Sequence, residues 1–185
     1  LAPLLRRQRG FLARTLRLGR TPLPAWLAAR RVEGALDIRE LSVAGEQFDR
    51  VRLHFFWDGA YVDVPRFTAR VRRGELDGHM SIDLGGADAA YEVAARLESA
   101  SYRGGELSGD GQLVTSGFAE ELYWNLRAAG SFRAQDIALE GAPERLSLSG
   151  EWRLRWDRRQ PHLQLSGVRM TDGKDTLVGG GQTGD

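Results

Sequence analysis

The 185-residue sequence predicts a mainly β protein, an antiparallel meander of repeated strands that forms a curved, elongated sheet or groove. Three observations predict it. From residue 32 onwards apolar and polar residues alternate with a period of two, glycine and aspartate separate the alternating runs, and blocks of the pattern recur in the same order. Short connections between the runs favour antiparallel neighbours. We also expect short N-terminal helices and one inserted helix near residues 117–128.

The strand pattern occurs in ten runs that are enriched in β-branched or aromatic residues and bounded by turn residues. The runs cover residues 34–43, 50–57, 61–71, 76–84, 91–102, 107–114, 131–139, 145–155, 162–170 and 176–179. Asp58-Gly59 lies between two of them and is a hairpin signal, and Asp172-Gly173 is a second one. The sequence therefore predicts tight hairpins between successive strands.

Residues 117–128 have the pattern of a helix that interrupts the sheet. Ser116 is a candidate N-cap, two glutamates follow in the first turn where the helix dipole favours them, and Gly130 is a candidate C-terminal stop. Three apolar side chains would share one face of this helix: Phe118, Leu122 and Leu126. We expect the helix to cover an end or a face of the sheet.

The N-terminal segment, residues 1–31, differs in charge from the rest of the chain. It holds eight arginines and no acidic residue, whereas the remainder holds 18 basic and 25 acidic residues, so the net charge of +1 conceals a split. Leu5, Leu12 and Leu16 recur at helical spacing, and Thr21-Pro22 suits the start of a second helix. Such a basic amphipathic segment either docks on the rest of the protein or lies on an anionic membrane surface.

The remaining residues, 32–185, read as one repeated β domain. Copy one spans about residues 32–115 and a partial copy two spans about residues 128–185. Gly34 and Leu36 have counterparts 96 positions later in Gly130 and Phe132. Val62, Val64, Phe67 and Ala69 correspond to Leu163, Leu165, Val168 and Met170 with identical internal spacing. Units that recur in this way contact mainly their neighbours and build an elongated sheet.

Several strands present apolar side chains on one face and polar side chains on the other. One long apolar face must be buried, either against a second layer or by an extended apolar ligand in a groove. Ordinary core packing and lipid contact both remain open for these side chains. The candidate lipid-contacting residues are Val51, Leu53, Phe55, Trp57, Met80, Ile82, Leu84, Trp152, Leu154 and Trp156.

The sequence contains no recognisable catalytic or cofactor motif. Cysteine is absent and the three histidines are isolated, so we expect no metal, and no phosphate-binding loop, nucleophile elbow or dinucleotide fingerprint occurs. We therefore expect no catalytic residue, no cofactor and no enzyme activity, and a lipid or glycan hydrolase is disfavoured. No nucleic-acid-binding fold follows the basic N-terminal segment, so nucleic acid is not an expected partner.

Four stretches carry a family resemblance: residues 32–45, 66–84, 102–113, and the short helix leading into residues 126–137. Together they resemble the C-terminal, AsmA-like region of bacterial AsmA-family proteins, over about residues 22–185. The resemblance implies a repeated β-sheet bent into a long groove, and a bridge-type carrier of phospholipid between inner and outer membranes. It also implies a periplasmic location, with the full-length protein anchored in the inner membrane and this chain an excised portion.

Two functions follow as expectations. The first is a lipid-conduit segment in which acyl chains lie on the apolar face and headgroups stay near the polar rim, without chemistry. The alternative is a structural or assembly module that pairs its sheet edges with the rest of its own chain or with an outer-membrane partner. The expected partners are phospholipid or another acyl-chain lipid and, through the basic segment, a membrane surface.

Overall fold

The computed structural model describes residues 29–43, 45–138, 144–157, 160–172 and 175–183. In these ranges the chain forms one ten-stranded antiparallel sheet in which each strand pairs with its sequence neighbours. The predicted antiparallel meander is confirmed, and the sheet is open, with β1 and β10 as its edges. The strands are β1 (Arg31–Val43), β2 (Glu46–Asp58), β3 (Tyr61–Val71), β4 (Gly74–Asp83), β5 (Ala90–Tyr102), β6 (Gly105–Ser116), β7 (Arg127–Ile137), β8 (Leu146–Asp157), β9 (Gln160–Thr171) and β10 (Thr176–Thr183).

The sheet begins one residue earlier than the predicted β domain. Arg31, assigned to the N-terminal segment from sequence, begins β1 and pairs with Asp58 across the β1–β2 ladder, where its Nε lies 3.0 Å from the carboxylate. Pairing extends this far because Val32 and Trp57, one step inward, are register partners. The predicted N-terminal helices lie outside the described residues.

The inserted helix predicted near residues 117–128 is present but much shorter than expected. Only α1, residues Glu121–Trp124, is helical. Gly117 and Ala119 have φ of +89° and +53°, conformations that cannot continue a right-handed helix, so Ser116 ends β6 instead of capping a helix. Gly130, expected to end the helix, lies within β7. A four-residue helix depends on its packing, and α1 packs on β6 and β8.

Bulges recur in the sheet. Left-handed residues occur in β2 at Arg50, β5 at Ser99, β7 at Asp136 and β9 at Gly167, and each accompanies a shift of strand register. A bulge bends its strand and increases the local twist. In β5 it places Leu97 and Ala100, three positions apart, in register with Gly109 and Leu107 of β6. The apolar side chains thus stay on one face through the bend.

The strained bulge at Ser99 predicts a stabilising substitution. Ser99 has φ of +51°, which costs a non-glycine residue about 1 kcal/mol, so we expect Ser99→Gly to raise the unfolding free energy by about 0.5–1 kcal/mol. The control is Ser101→Gly, in the same strand with ordinary backbone, which should lower it by a similar amount. Urea denaturation measures both. Equal destabilisation by the two changes would contradict the assignment of strain.

The repeat noticed in the sequence has a structural cause in β3 and β9. In β3 the ladder register shifts between Val64 and Phe67, and in β9 it shifts between Leu165 and Val168. The identical three-residue steps in the two sequences are therefore bulges at equivalent points. β3 and β9 are the third strands of the two sequence copies, and each pairs with the strand that follows it, β4 or β10. Both strands bend at equivalent residues.

Candidate functional site

The candidate site is the apolar face of the sheet. Register partners point to the same side, and the row through Val64, Met80, Val93, Leu113, Ala128 and Leu154 crosses six consecutive strands. Parallel rows run above and below it. We call this face the apolar trough, and its larger side chains are Leu36, Leu53, Phe67, Leu76, Met80, Ile82, Val93, Leu97, Leu113, Phe132, Leu148, Trp152, Leu154, Leu163, Leu165 and Met170.

Nine of the ten residues proposed from sequence lie in strands and point to this face. Leu53 is the register partner of Phe67, which lies on the same face of β3. Met80 and Leu154 both belong to the row described above. Leu84 lies just beyond the end of β4, where its backbone N–H donates to the carbonyl of Ala60 at 2.8 Å. The four β2 residues are Val51, Leu53, Phe55 and Trp57, the β4 group is Met80, Ile82 and Leu84, and the β8 residues are Trp152, Leu154 and Trp156. Their contact with lipid stays a prediction.

The sequence-based list missed trough residues on the intervening strands. Phe67 of β3, Val93 of β5, Leu113 of β6 and Phe132 of β7 lie on the same face. The signal was present, because these strands alternate as β2 and β4 do. Alanines and glycines lie between the large apolar residues of β3, β5, β6 and β7, so the apolar pattern is weaker when each of these strands is considered separately.

The trough is only partly covered by the described chain. Its buried side chains are mostly small, such as Ala69, Ala100 and Ala128, and Ile137 is the largest one that is almost fully enclosed. Of the ten predicted residues Val51 alone is buried, at 8% exposure, and the others are half-buried. Each strand packs mainly on its two neighbours, so no second layer of described residues lies over this face. Near β10 the face contains a depression of about 370 Å³ lined by Leu148, Leu165, Val168 and Met170, among others.

Glycines let aromatic rings lie flat along the trough. A Cβ on Gly34 would lie 2.6 Å from the Phe55 ring, and one on Gly78 would lie 2.5 Å from the Phe67 ring. On Gly111 it would lie 2.8 Å from the Trp152 ring, two strands away. An aromatic ring thus covers the bare backbone of a neighbouring strand, which smooths the apolar surface.

A central row of glycines also brings the backbones together on this face. A Cβ on Gly130 would lie 2.8 Å from the Cα of Gly111 and inside contact distance of the carbonyl oxygen of Asp110. Real Cβ atoms do not approach so closely, so the absence of a side chain is required here. The crowding lies on the apolar side of the sheet, where the backbones of β6 and β7 come close together.

An aromatic cluster closes one corner of the trough. The rings of Tyr123 and Trp124 from α1 lie 6.1 and 5.7 Å from the Trp156 ring in edge-on geometry. The Tyr123 hydroxyl and the Trp156 indole N–H are buried without a hydrogen-bond partner in the described structure. Nearby on the same side of the sheet, burial raises the pKa of the Tyr91 phenol above its ordinary value. These groups mark a low-polarity environment.

The opposite face is charged and solvent-exposed. Cross-strand pairs include Arg52 with Asp37 at 3.2 Å and Arg66 with Asp77 at 2.7 Å. Exposed pairs of this kind contribute at most about 1 kcal/mol each, so their main effect is to keep this face in water. His54 contacts Glu33 at 3.1 Å, and the described residues hold no group of three or more potential metal ligands.

The hairpin connections carry opposite charges on the two sides of the central strands. The β3–β4 and β5–β6 turns, residues 72–73 and 103–104, contain three arginines and no acid. The β4–β5 and β6–β7 connections, residues 84–89 and 117–126, contain Asp88, Glu120 and Glu121 and no basic residue. We call the group Arg72, Arg73 and Arg103 the arginine rim, and the group Asp88, Glu120 and Glu121 the acidic rim. An apolar surface between two charged rims can hold an amphiphile.

The chain matched no protein-family model, no curated protein and no solved structure. Within the described ranges no helix has the length and apolar character needed to cross a membrane.

Proposed function

We propose that this chain is a non-enzymatic segment that binds phospholipid acyl chains on the apolar trough and guides them along it. The observation that carries the proposal is the continuity of the apolar face across the sheet, with most of its large side chains only half-buried and without a second layer from the described residues. A soluble protein rarely leaves so large an apolar surface without a ligand or a partner.

The dimensions of the trough suit an acyl chain. A strand of 13 residues such as β1 is about 43 Å long at about 3.3 Å per residue. An acyl chain spans about 15 Å, half of the roughly 30 Å hydrocarbon core of a bilayer. Apolar contact stabilises by about 25 cal/mol per Å², so each chain laid on the trough gains free energy without a specific polar contact. Because neighbouring rows are chemically alike, a bound chain can move between them.

The mechanism is passive. Acyl chains replace water over the half-buried side chains, while the polar headgroup stays at a rim, where it keeps its hydration. In this proposal the chain belongs to an AsmA-like protein anchored in the inner membrane, and its sheet spans part of the periplasm between inner and outer membranes during outer-membrane biogenesis. The basic N-terminal segment, with eight arginines in residues 1–31, would add attraction to an anionic membrane surface.

The experiment is direct. The protein is purified without detergent, examined by native mass spectrometry, and extracted for lipid analysis. We expect bound phospholipid, seen as mass increments of one or more lipids that disappear after organic extraction. Protein that is free of lipid, and that takes up none from vesicles during incubation, would contradict the proposal.

An alternative function is supported by the exposed β10 edge. Leu177 and Val178 are 62% and 71% exposed, and the outer side of β10 has no strand beside it in the described structure. An edge of this kind accepts a further strand from the same chain or from a partner such as an outer-membrane protein. Lipid-free protein that assembles through β10, detected by cross-linking at residue 178, would favour this assembly role over lipid binding.

A further inference from the structure

The arginine rim is built from two neighbouring turns. Arg72 and Arg73 are the central residues of the β3–β4 turn, and Arg103 opens the β5–β6 turn. The backbone N–H of Ser101 donates to the carbonyl of Arg72 at 2.7 Å, which joins the two turns side by side. Three guanidinium groups therefore project from one short stretch of the sheet's margin.

The backbone of these turns disfavours arginine. Arg72, Arg73 and Arg103 have φ of +48°, +69° and +47°. Two-residue turns with positive φ strongly prefer asparagine and glycine, and other residues are strained there. Strained residues of this kind concentrate at functional sites, so the arginines call for an explanation beyond the turn itself.

An aromatic ring links the arginine rim to the apolar trough. Tyr102 lies two residues after the buried Ala100, on the trough side of β5. The Arg72 and Arg103 guanidinium carbons lie 5.9 and 5.7 Å from the centre of its ring. The two cations are thus held where the apolar surface meets solvent.

Among the described residues, only one of the three cations is paired with a carboxylate. The Arg72 Nε donates to a carboxylate oxygen of Glu46 at 2.8 Å, and the paired Arg72 guanidinium holds the pKa of the Glu46 carboxyl below its usual value. Neither Arg73 nor Arg103 has a carboxylate within 4.0 Å among the described residues. Arg145 donates to the carbonyls of Gly104 and Asp136 at 2.9 and 3.0 Å and so fixes the β5–β6 turn.

We propose that the arginine rim binds the phosphate group of a phospholipid whose acyl chains lie on the apolar trough. This inference rests on the proposed function and adds the headgroup chemistry and its place. Guanidinium groups suit phosphate because their planar N–H donors match its oxygens. The acidic rim on the other side repels the same group, so a phospholipid is held with its headgroup on one side of the trough.

The test compares three probes on the purified protein: phosphatidylglycerol, diacylglycerol with the same acyl chains, and glycerol phosphate without acyl chains. We expect phosphatidylglycerol to bind about tenfold more tightly than diacylglycerol, because charge-assisted hydrogen bonds to phosphate are lost in the latter. Glycerol phosphate alone should not bind measurably. Tight binding of glycerol phosphate would overturn the assignment to a lipid headgroup.

The decisive variant combines Arg73→Gly with Arg103→Asn. Both new residues favour positive φ, so the turns should be at least as stable as before while the guanidinium groups of Arg73 and Arg103 are gone. We expect the variant to retain diacylglycerol binding and to lose the tenfold preference for phosphatidylglycerol. The matched control combines Arg133→Gln with Arg153→Gln, two exposed arginines of β7 and β8, and should keep the preference.

The outcomes separate the two proposals. Failure of the unmodified protein to bind either lipid overturns the proposed function and this inference with it. Equal binding of phosphatidylglycerol and diacylglycerol overturns only the arginine rim as a headgroup site. The arginine rim is also overturned as a headgroup site if the Arg73→Gly, Arg103→Asn variant keeps the preference for phosphatidylglycerol while its thermal unfolding is unchanged.

Discussion

Replacement of Gly130 by alanine is expected to destabilise the protein by about 3 kcal/mol or more. The added Cβ would lie 2.8 Å from the Cα of Gly111 and inside contact distance of the Asp110 carbonyl. Both neighbours are backbone atoms of β6, which cannot rotate away as a side chain can. The ladder must open there, and the hydrogen bonds of β6 and β7 are weakened together.

The control for Gly130→Ala lies in the same row of the sheet. Gly181 of β10 is joined to Gly130 through Trp152 and Leu165, and a Cβ on it would meet nothing within 4 Å. Gly181→Ala should change the unfolding free energy by no more than about 1 kcal/mol. Thermal and urea unfolding of the two variants measure the difference. Similar unfolding midpoints would show that the close approach of β6 and β7 is not required for the fold.

Placing a carboxylate in the middle of the apolar trough is expected to remove most of the bound lipid. Leu113 lies between Val93 and Ala128 in the central row, so the carboxylate of Leu113→Glu would stand against an acyl chain. An unpaired charge in apolar surroundings costs several kcal/mol, so lipid recovered per protein should fall below about a tenth. Lipid extraction and mass spectrometry of the purified variant measure this.

The adjacent residue provides the matched control. Val114 is 44% exposed and points to the charged face, so Val114→Glu should leave bound lipid unchanged. Met80→Glu and His79→Glu form a second pair on β4, in case Leu113→Glu prevents folding, which circular dichroism would report. If folded trough variants retain their lipid, the lipid is not on this face and the proposed function would fail.

The strands were predictable because the period-two pattern is imposed by the sheet itself. An alternating strand such as β2 must place Leu53 and Phe55 together on one side, whatever its neighbours. The bulges were not predicted, although two of them correspond to the shared three-residue steps at Val64–Phe67 and Leu165–Val168. What the sequence could not show is whether a second layer covers the apolar face, since core and groove residues look alike.

The short helix shows how local backbone geometry outweighs helix pattern. Glu120 and Glu121 with regularly spaced leucines indicate a helix. Gly117 and Ala119, however, take left-handed conformations, so the helix cannot begin before Glu121. In the structure a Glu121 carboxylate oxygen accepts from the Phe118 backbone N–H at 3.1 Å, which stabilises the turn in place of a longer helix. Tertiary packing on Trp156 then fixes the short α1.

The arginine rim and the acidic rim could not be predicted from the sequence, because the topology of the sheet brings their residues together. Arg72 and Arg103 stand 31 positions apart in the chain and become neighbours only because alternate turns of a meander fall on the same side. Charge counted along the sequence therefore shows the excess of arginine at the N-terminus but not the separation between the two sides of the sheet.

Strand-to-neighbour pairing has a consequence for how such a protein changes size. Inserting or deleting one whole hairpin would alter the extent of the sheet by about 9.6 Å, two interstrand spacings, and leave every other register intact. The cross-section would stay constant while the reach grows in fixed increments. The length of such a sheet can therefore change in steps of one hairpin without a change in the pairing of the remaining strands.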